Sequence, residues 1–395
     1  MLSSLALIFL IGMTLGWIFN KFKLPPLVGM LLAGVLLGPC LLNILDPKIL
    51  SISPDLRQLA LIVILIKAGL ALDITDLKKV GRPAILMSFL PAVFEIAAVV
   101  IFAPLLLGVS IIEAAIIGAV LGAVSPAVVV PKMVSLMEGG YGTDKSIPQL
   151  ILAGASLDDV FVIVLFTAFV GLEQGEAISL WSFGQIPISI VLGLLLGLVV
   201  GLALAFIFEK IHMRDSAKVV IILAISFLLV ALEGWAAPIV SVSGLLAVMS
   251  TAIALSRKSP VRGQRLSAKF GKLWVAAEVV LFVLVGAAVD ITYAAKAGLP
   301  VVALILIALC FRCVGVLVCL LKTRLNFRER IFCLISYIPK ATVQAAIGAV
   351  PLALGLGCGQ LVLTVAVVSI IITAPLGAFG MEHSYKRLLT QSKQE

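Results

Sequence analysis

Apolar stretches of about 20 residues recur along the whole chain, separated by short connections that hold most of the charged residues. Thirteen stand out, at 2–19, 26–43, 56–73, 83–108, 110–136, 147–172, 178–209, 217–234, 237–256, 271–290, 298–321, 331–356 and 360–381. At 1.5 Å of rise per residue, a helix of about 20 apolar residues crosses the ~30 Å hydrocarbon core of a bilayer. The pattern predicts an all-α polytopic membrane protein with about 13 transmembrane helices. A transmembrane β-barrel would instead alternate in segments of about ten residues. The first stretch has no basic n-region and no small-x-small cleavage site before Lys21. It is expected to remain as a first helix rather than leave as a signal peptide.

Composition agrees with this reading. The 395 residues are 62% hydrophobic and only 12% charged, against roughly a quarter charged in a soluble domain. The net charge of +9 raises the question of nucleic acid, and the placement of the charges answers it. With the N-terminus outside, 23 of the 29 Lys and Arg fall in connections or at stretch ends on the inner side. Only Lys48, Arg57 and Lys296 fall outside, while Lys67, Arg312 and Lys340 lie within stretches. This is the positive-inside pattern of a protein with its N-terminus out and its C-terminus cytoplasmic, and no nucleic-acid partner is expected. Cys310 and Cys313 have CxxC spacing, but Arg312 lies between them and no second Cys pair or His follows. They read as small apolar side chains, and no cofactor is expected.

A short repeat organises the chain. GLALDIT at 69–75 returns as GAAVDIT at 286–292, with five of seven positions identical at an offset of 217. The first copy closes the third stretch and the second closes the tenth, so an odd number of crossings separates them. The two halves should therefore run through the membrane in opposite directions, with Asp73 at the inner face and Asp290 at the outer. Carried forward, the offset places Glu95 on Arg312, and Ser125–Pro126 on Thr342–Val343. It places Asp158–Asp159 on Pro375–Leu376. Inverted repeats with a site near the midplane characterise secondary transporters.

The halves differ in chemistry. The first supplies Glu95, Asp158 and Asp159, and the second supplies Arg312 and Lys340. Three acids against two bases leave one negative charge in the bundle, as a monovalent cation site or proton carrier needs. Asp158 and Asp159 are adjacent in LAGASLDDVFVIVLF (152–166), with no Lys or Arg within a dozen residues of the pair. Inserting one carboxylate near a helix centre costs at least about 2.5–3.5 kcal/mol. Neighbours diverge by about 100° on a helix, so one Asp can face a wet cavity while the other faces a partner. A carboxylate that binds H⁺ or a small hard cation offers one group to two competing ligands, the simplest basis for obligatory antiport.

Partners for the acids must come from elsewhere in the chain. GAVSPAVVVPKM (122–133) holds Ser125, Pro126 and Pro131, and YIPKATVQAAIG (337–348) holds Pro339, Lys340, Thr342 and Gln344 at the repeat-related place. Pro removes an N–H and clashes with the preceding turn, so both helices should be broken, with free carbonyls turned to a site. Lys340 would lie at the crossing, neutralising half-helix C-termini or pairing with an aspartate. Glu95 and Arg312 read as a buried ion pair bracing the bundle.

AVSPAVVVPKM, GASLDDV and IPKATVQAAIG, in this order, resemble three motifs of the cation/proton antiporters, in the branch of bacterial and animal NHA-type sodium/proton exchangers. The resemblance covers essentially the whole chain. It implies an inverted-repeat antiporter fold with two crossed broken helices, working as a homodimer by an elevator-type cycle. Residues 1–73 and 217–290 would form the dimerisation scaffold, 83–172 and 298–381 the ion-transporting core, 178–209 the linker helix and 382–395 a cytoplasmic tail. It implies Asp159 as the carrier of Na⁺ or Li⁺ and H⁺ with Asp158 as its neighbour, supported by Ser125, Pro126, Thr342 and Lys340. A bacterial inner membrane and its lipids would be the setting. Electrogenic members with paired aspartates carry Lys at the position of Arg312; Arg does not release a proton, which favours electroneutral exchange. A cation channel or K⁺/H⁺ efflux system of the same fold is the alternative, though such relatives usually carry a C-terminal nucleotide-binding domain. A bile-acid-type symporter shares the architecture without the aspartate pair. An intramembrane aspartyl protease would need aspartates facing each other from separate segments, so no enzyme is expected.

Overall fold

The computed structural model describes residues 1–22, 24–71, 81–174, 180–236 and 242–391. Among them are eighteen helices and no strand, with one isolated bridge between Tyr141 and Gln391. Eight helical spans are long and apolar enough to cross a membrane, and shorter apolar helices accompany them. Large apolar side chains such as Leu10, Trp17, Leu105 and Phe379 are exposed, as lipid-facing positions require. The chain divides into two compact units.

The first unit takes in Met1–Pro54, Ile74–Gln174 and Leu281–Glu395. Its helices are α1 (Leu2–Lys21), α2 (Pro26–Leu37) and α3 (Pro47–Ser51), then α5 (Arg82–Met87), α6 (Leu90–Leu107), α7 (Ile111–Leu121), α8 (Pro126–Glu138) and α9 (Ile147–Glu173). After the second unit come α14 (Ile291–Cys319), α15 (Phe327–Ser336), α16 (Thr342–Ile347), α17 (Val350–Ala353) and α18 (Gly359–Leu388). The second unit takes in Asp55–Asp73 and Gly175–Val280. It holds most of α4 (Ser53–Ala71), then α10 (Leu180–Lys210), α11 (Asp215–Ala236), α12 (Gly244–Lys258) and most of α13 (Pro260–Ala287).

Each of the thirteen predicted stretches contains helix, but several are subdivided or shifted. The stretch 83–108 is two helices, and 331–356 is three. α13 starts at Pro260 rather than 271, which puts Arg262, Arg265 and Lys269 on a helix rather than in a connection. α18 runs on to Leu388 and carries His383 with it. Hydropathy marks where apolar surface stops, whereas a helix continues as long as its backbone hydrogen bonds do. Asp73, in the first repeat copy, lies outside the described residues. Asp290, in the second, does not close α13 but caps α14, accepting from the backbone N–H of Thr292 at 2.8 Å and Tyr293 at 3.1 Å.

In the first unit, two capping boxes launch the helices that lead into the predicted breaks. Ser110 with Glu113 starts α7, and Asn326 with Glu329 starts α15, at an offset of 216 between the two caps. α6 packs on α14 with Phe102 edge-on to Phe311 at 6.0 Å, and Gly315 leaves room for the backbone at Pro91. Residues just past α18 clasp the turn between α8 and α9. The N–H of Gly142 donates to Thr390 O at 2.8 Å, Gln391 Nε2 donates to Gly139 O at 3.1 Å, and Lys132 pairs with Glu382 at 2.7 Å. Tyr141 stacks edge-on to Tyr385 at 5.0 Å.

In the second unit, Gly193, Gly197 and Gly201 form one ridge of α10, four residues apart. A side chain on Gly197 would overlap the carbonyl of Ala247, so α10 and α12 approach to backbone contact. Ser250 Oγ donates to Leu194 O at 2.8 Å and Thr251 Oγ1 to Gly197 O at 3.1 Å across that seam. Lys67 Nζ lies 6.0 Å from the Trp274 ring centre and within electrostatic reach of Glu278.

Candidate functional site

The continuous apolar stretch 110–136 is interrupted between Leu121 and Pro126. Pro126 takes the first helical position of α8, where its missing N–H leaves nothing unsatisfied. The helix then continues through Pro131, so the expected break is the four residues Gly122–Ser125. In the other half, α15 ends at Ser336 and α16 begins at Thr342, leaving Tyr337–Ala341 as the second break. The two breaks meet, with the N–H of Ser125 donating to the carbonyl of Pro339 at 2.8 Å. Gly377 lets α18 lie against the second break, since a Cβ there would overlap the Pro339 ring.

Five consecutive residues, Leu121 at the end of α7 and the four of the first break, each have a backbone group held from elsewhere. Lys340 Nζ donates to Leu121 O, and Arg312 Nη1 donates to Gly122 O. Gln344 Nε2 donates to Ala123 O at 2.9 Å. The N–H of Val124 donates to Asp158 Oδ2 at 2.9 Å, and Ser125 is bound to Pro339 as above. A helix interrupted in an apolar bundle must satisfy its freed groups this way, because each one left bare costs about 1–3 kcal/mol.

The charged side chains form one buried network. Arg312 is 1% exposed and Lys340, Glu95 and Asp158 are 0% exposed. Arg312 donates through Nη1 to Glu95 Oε2 and through Nη2 to Asp158 Oδ2, both at 2.8 Å, and through Nε to Tyr337 O at 2.8 Å. Lys340 Nζ sits 2.6 Å from Glu95 Oε1, and its own N–H donates to Thr373 Oγ1 at 3.0 Å. The planar fork of Arg suits this bridging of several acceptors.

Asp159, the next residue on α9, is also buried, at 6% exposed. It makes no hydrogen bond or ion pair with any described residue. Asp158 Oδ1 and Asp159 Oδ1 have no donor among the described residues, and the same holds for Ser125 Oγ, Thr342 Oγ1 and Gln344 Oε1 on the two broken segments. These five unsatisfied atoms are all oxygens, anionic and neutral, the ligand type that small hard cations take. Both hydrogen bonds to Asp158 fall on Oδ2, so its other oxygen is spared.

The sequence-predicted residues Asp158, Ser125, Lys340, Thr342, Glu95 and Arg312 therefore lie on segments joined by one polar network, with Asp159 adjacent to it. The expected Glu95–Arg312 pair is present and buried, and Arg312 also bridges it to Asp158. Lys340 does cap the end of α7, but its acidic partner is Glu95 and not an aspartate. Arg312 takes Asp158 because its fork reaches both carboxylates at once, which the single ammonium of Lys340 does not. Gln344, Thr373, the carbonyl of Tyr337 and the N–H of Val124 were not foreseen as members. Gln344 was visible in the YIPKATVQAAIG motif, while backbone donors and acceptors leave no trace in a sequence.

Known proteins share this chain's features over nearly its full length. The profile of the transmembrane sodium/hydrogen exchanger family matches residues 5–382. Sodium/hydrogen exchanger 9B2 of Mus musculus is 33% identical over 414 aligned residues, covering 99% of this chain and 74% of the mouse protein. The Homo sapiens 9B2 protein is 34% identical, covering 94% of this chain and 71% of its own. The Homo sapiens 9B1 protein is 31% identical over 93% of this chain and 73% of its own. Among solved structures, the sodium proton antiporter MjNhaP1 from Methanocaldococcus jannaschii at pH 8 superposes with a TM-score of 0.85. It covers 98% of both chains at 18% identity, which is a likeness of fold.

Proposed function

The chain belongs to the transmembrane sodium/hydrogen exchanger family, and from that premise we propose that its sodium/proton antiport runs through one carboxylate, Asp159, with Asp158 as the tuning neighbour. The observation that carries this reading is the unequal treatment of two adjacent acids. Asp158 is neutralised by Arg312 and held by the Val124 N–H, whereas Asp159 has no partner among the described residues. An unpaired buried carboxylate is costly unless it binds a proton or a cation. Asp159 thus takes H⁺ or Na⁺ (or Li⁺) but not both, and each crossing of the carrier in one direction with one ligand obliges a return with the other. Ser125 and Thr342 supply neutral oxygen ligands, Pro126 restarts the helix beside them, and Lys340 with Arg312 balances Glu95 and Asp158.

The cycle is an elevator type. Residues 83–172 and 298–381 move as the ion-carrying core, 1–73 and 217–290 form the scaffold through which two copies dimerise, 178–209 is the linker helix and 382–395 the cytoplasmic tail. The N-terminus lies outside and the C-terminus in the cytoplasm of a bacterial inner membrane, as the loop charges favour. Because Arg312 keeps its proton throughout the cycle, exchange is electroneutral.

Reconstitution into proteoliposomes tests this. Wild type should move protons in response to Na⁺ and Li⁺ gradients, with a rate unaffected by valinomycin and K⁺. Asp159→Asn should abolish the movement and Asp158→Asn should reduce it. Full activity in Asp159→Asn would sink the mechanism, and proton movement driven by K⁺ alone would turn the assignment to a K⁺/H⁺ system.

A further inference from the structure

We propose that Gln344 is a positioning residue for the cation site, acting through the Ala123–Val124 peptide on Asp158. The inference rests on the assignment of Asp158 and Asp159 to ion exchange. A trans peptide unit is planar, with its C=O and N–H pointing to opposite sides. Here both ends of one unit are held. Gln344 Nε2 donates to the Ala123 carbonyl at 2.9 Å, and the Val124 N–H donates to Asp158 Oδ2 at 2.9 Å. Gln344, Asp158 and the intervening break are fully buried, so no solvent competes for either bond.

The chain of bonds is therefore Gln344 N–H to peptide carbonyl, then peptide N–H to carboxylate. Each link polarises the next. Without the Gln344 donor, the plane loses the contact that sets its rotation about the break, and the N–H is no longer aimed at Oδ2. Asp158 would then keep only Arg312 on that oxygen, and its Oδ1 would no longer be presented in one fixed place beside Asp159.

Lys340 and Arg312 make the corresponding contacts to Leu121 and Gly122, but both also pair with acids, so replacing either disturbs the charge balance. Gln344 is the neutral member of the three. Replacing it leaves the charge balance intact, Gln344→His separates the loss of its Nε2 donor from the loss of its Oε1, and it ties α16 of the second half to the aspartate of the first.

The test is sodium-driven proton movement by the full-length protein in proteoliposomes, with Na⁺ varied at fixed pH. Gln344→Met keeps the length and removes the donor. Its apparent KM for Na⁺ should rise about tenfold while Vmax stays within about twofold of wild type. Gln344→His retains a ring N–H at similar reach and should restore KM to within about threefold. A purely structural role would instead lower the folded yield and Vmax together, with KM unchanged, and that result overturns the inference. If Gln344→Met does not fold, Gln344→Leu, which likewise lacks the donor, is read in its place, and a wild-type KM in a folded Gln344→Leu also overturns it. Asp159→Asn run alongside separates the two levels. An active Asp159→Asn removes the underlying assignment, whereas an inactive Asp159→Asn with a wild-type KM in Gln344→Met removes only this role.

Discussion

Asp158 and Asp159 differ by one peptide bond and about 100° of helix rotation, and that rotation separates an acid bonded to Arg312 and the Val124 N–H from one with no hydrogen-bond or ion-pair partner among the described residues. The energetic consequence lies with Arg312. It binds two carboxylates and two carbonyls, of Gly122 and Tyr337. Replacing it leaves Glu95 and Asp158 buried with only Lys340 to balance them. Arg312→Met should lower stability by about 3–5 kcal/mol, the usual cost of breaking a buried pair from one side. Arg312→Lys keeps the charge but not the fork and should recover only part of this. Asp159→Asn should leave the melting temperature unchanged or raise it, because it removes a buried charge that has no partner. Thermal unfolding of purified protein in detergent, followed by Trp fluorescence, checks all three. Equal melting of Arg312→Met and wild type would show that the network contributes nothing to folding.

At the scale of elements, the site exists because two helices stop in the middle of a bundle and restart. α7 and α15 are each launched by a capping box and end against each other's continuation. α18 must then pass very close to Pro339, and Gly377 is the position that permits it. Gly377→Ala forces the backbone of the second break to shift and should destabilise by about 1–3 kcal/mol, with loss of transport. Gly271, on α13, has open space where a Cβ would go. There Ala removes the cost of Gly in a helix and should be neutral or stabilising by up to about 1 kcal/mol. The contrast between the two substitutions, read by the same melting assay, distinguishes close packing at the crossing from a general intolerance of change at glycine.

For the whole molecule, the ordering of charges along the chain makes a topological prediction. Cys40 is exposed in the connection after α2, which the proposed orientation puts outside. With the other five cysteines replaced by Ala, a membrane-impermeant maleimide added to intact cells should label Cys40. Labelling that appears only after permeabilisation would reverse the orientation. The exchanger family membership and the antiporter fold hold at this same scale, over residues 5–382 and 98% of the chain.

Much of this was readable without coordinates. Apolar runs of bilayer length determine that the chain is a bundle of membrane helices, because the hydrocarbon core leaves the backbone no other way to satisfy itself. The two Pro-containing motifs mark the two broken helices, although α8 runs on through Pro131, and Asp158, Asp159, Glu95, Arg312 and Lys340 stand out because a charge in hydrocarbon needs a reason. The 217-residue offset even paired Glu95 with the residue that binds it. Only the tertiary structure decided who holds whom. Whether Arg312 or Lys340 reaches Asp158 depends on distances of a few ångströms between segments some 150 residues apart. The carbonyls of Leu121, Gly122 and Ala123 and the N–H of Val124 belong to every residue type alike, so a one-dimensional pattern carries no sign that they would line the site.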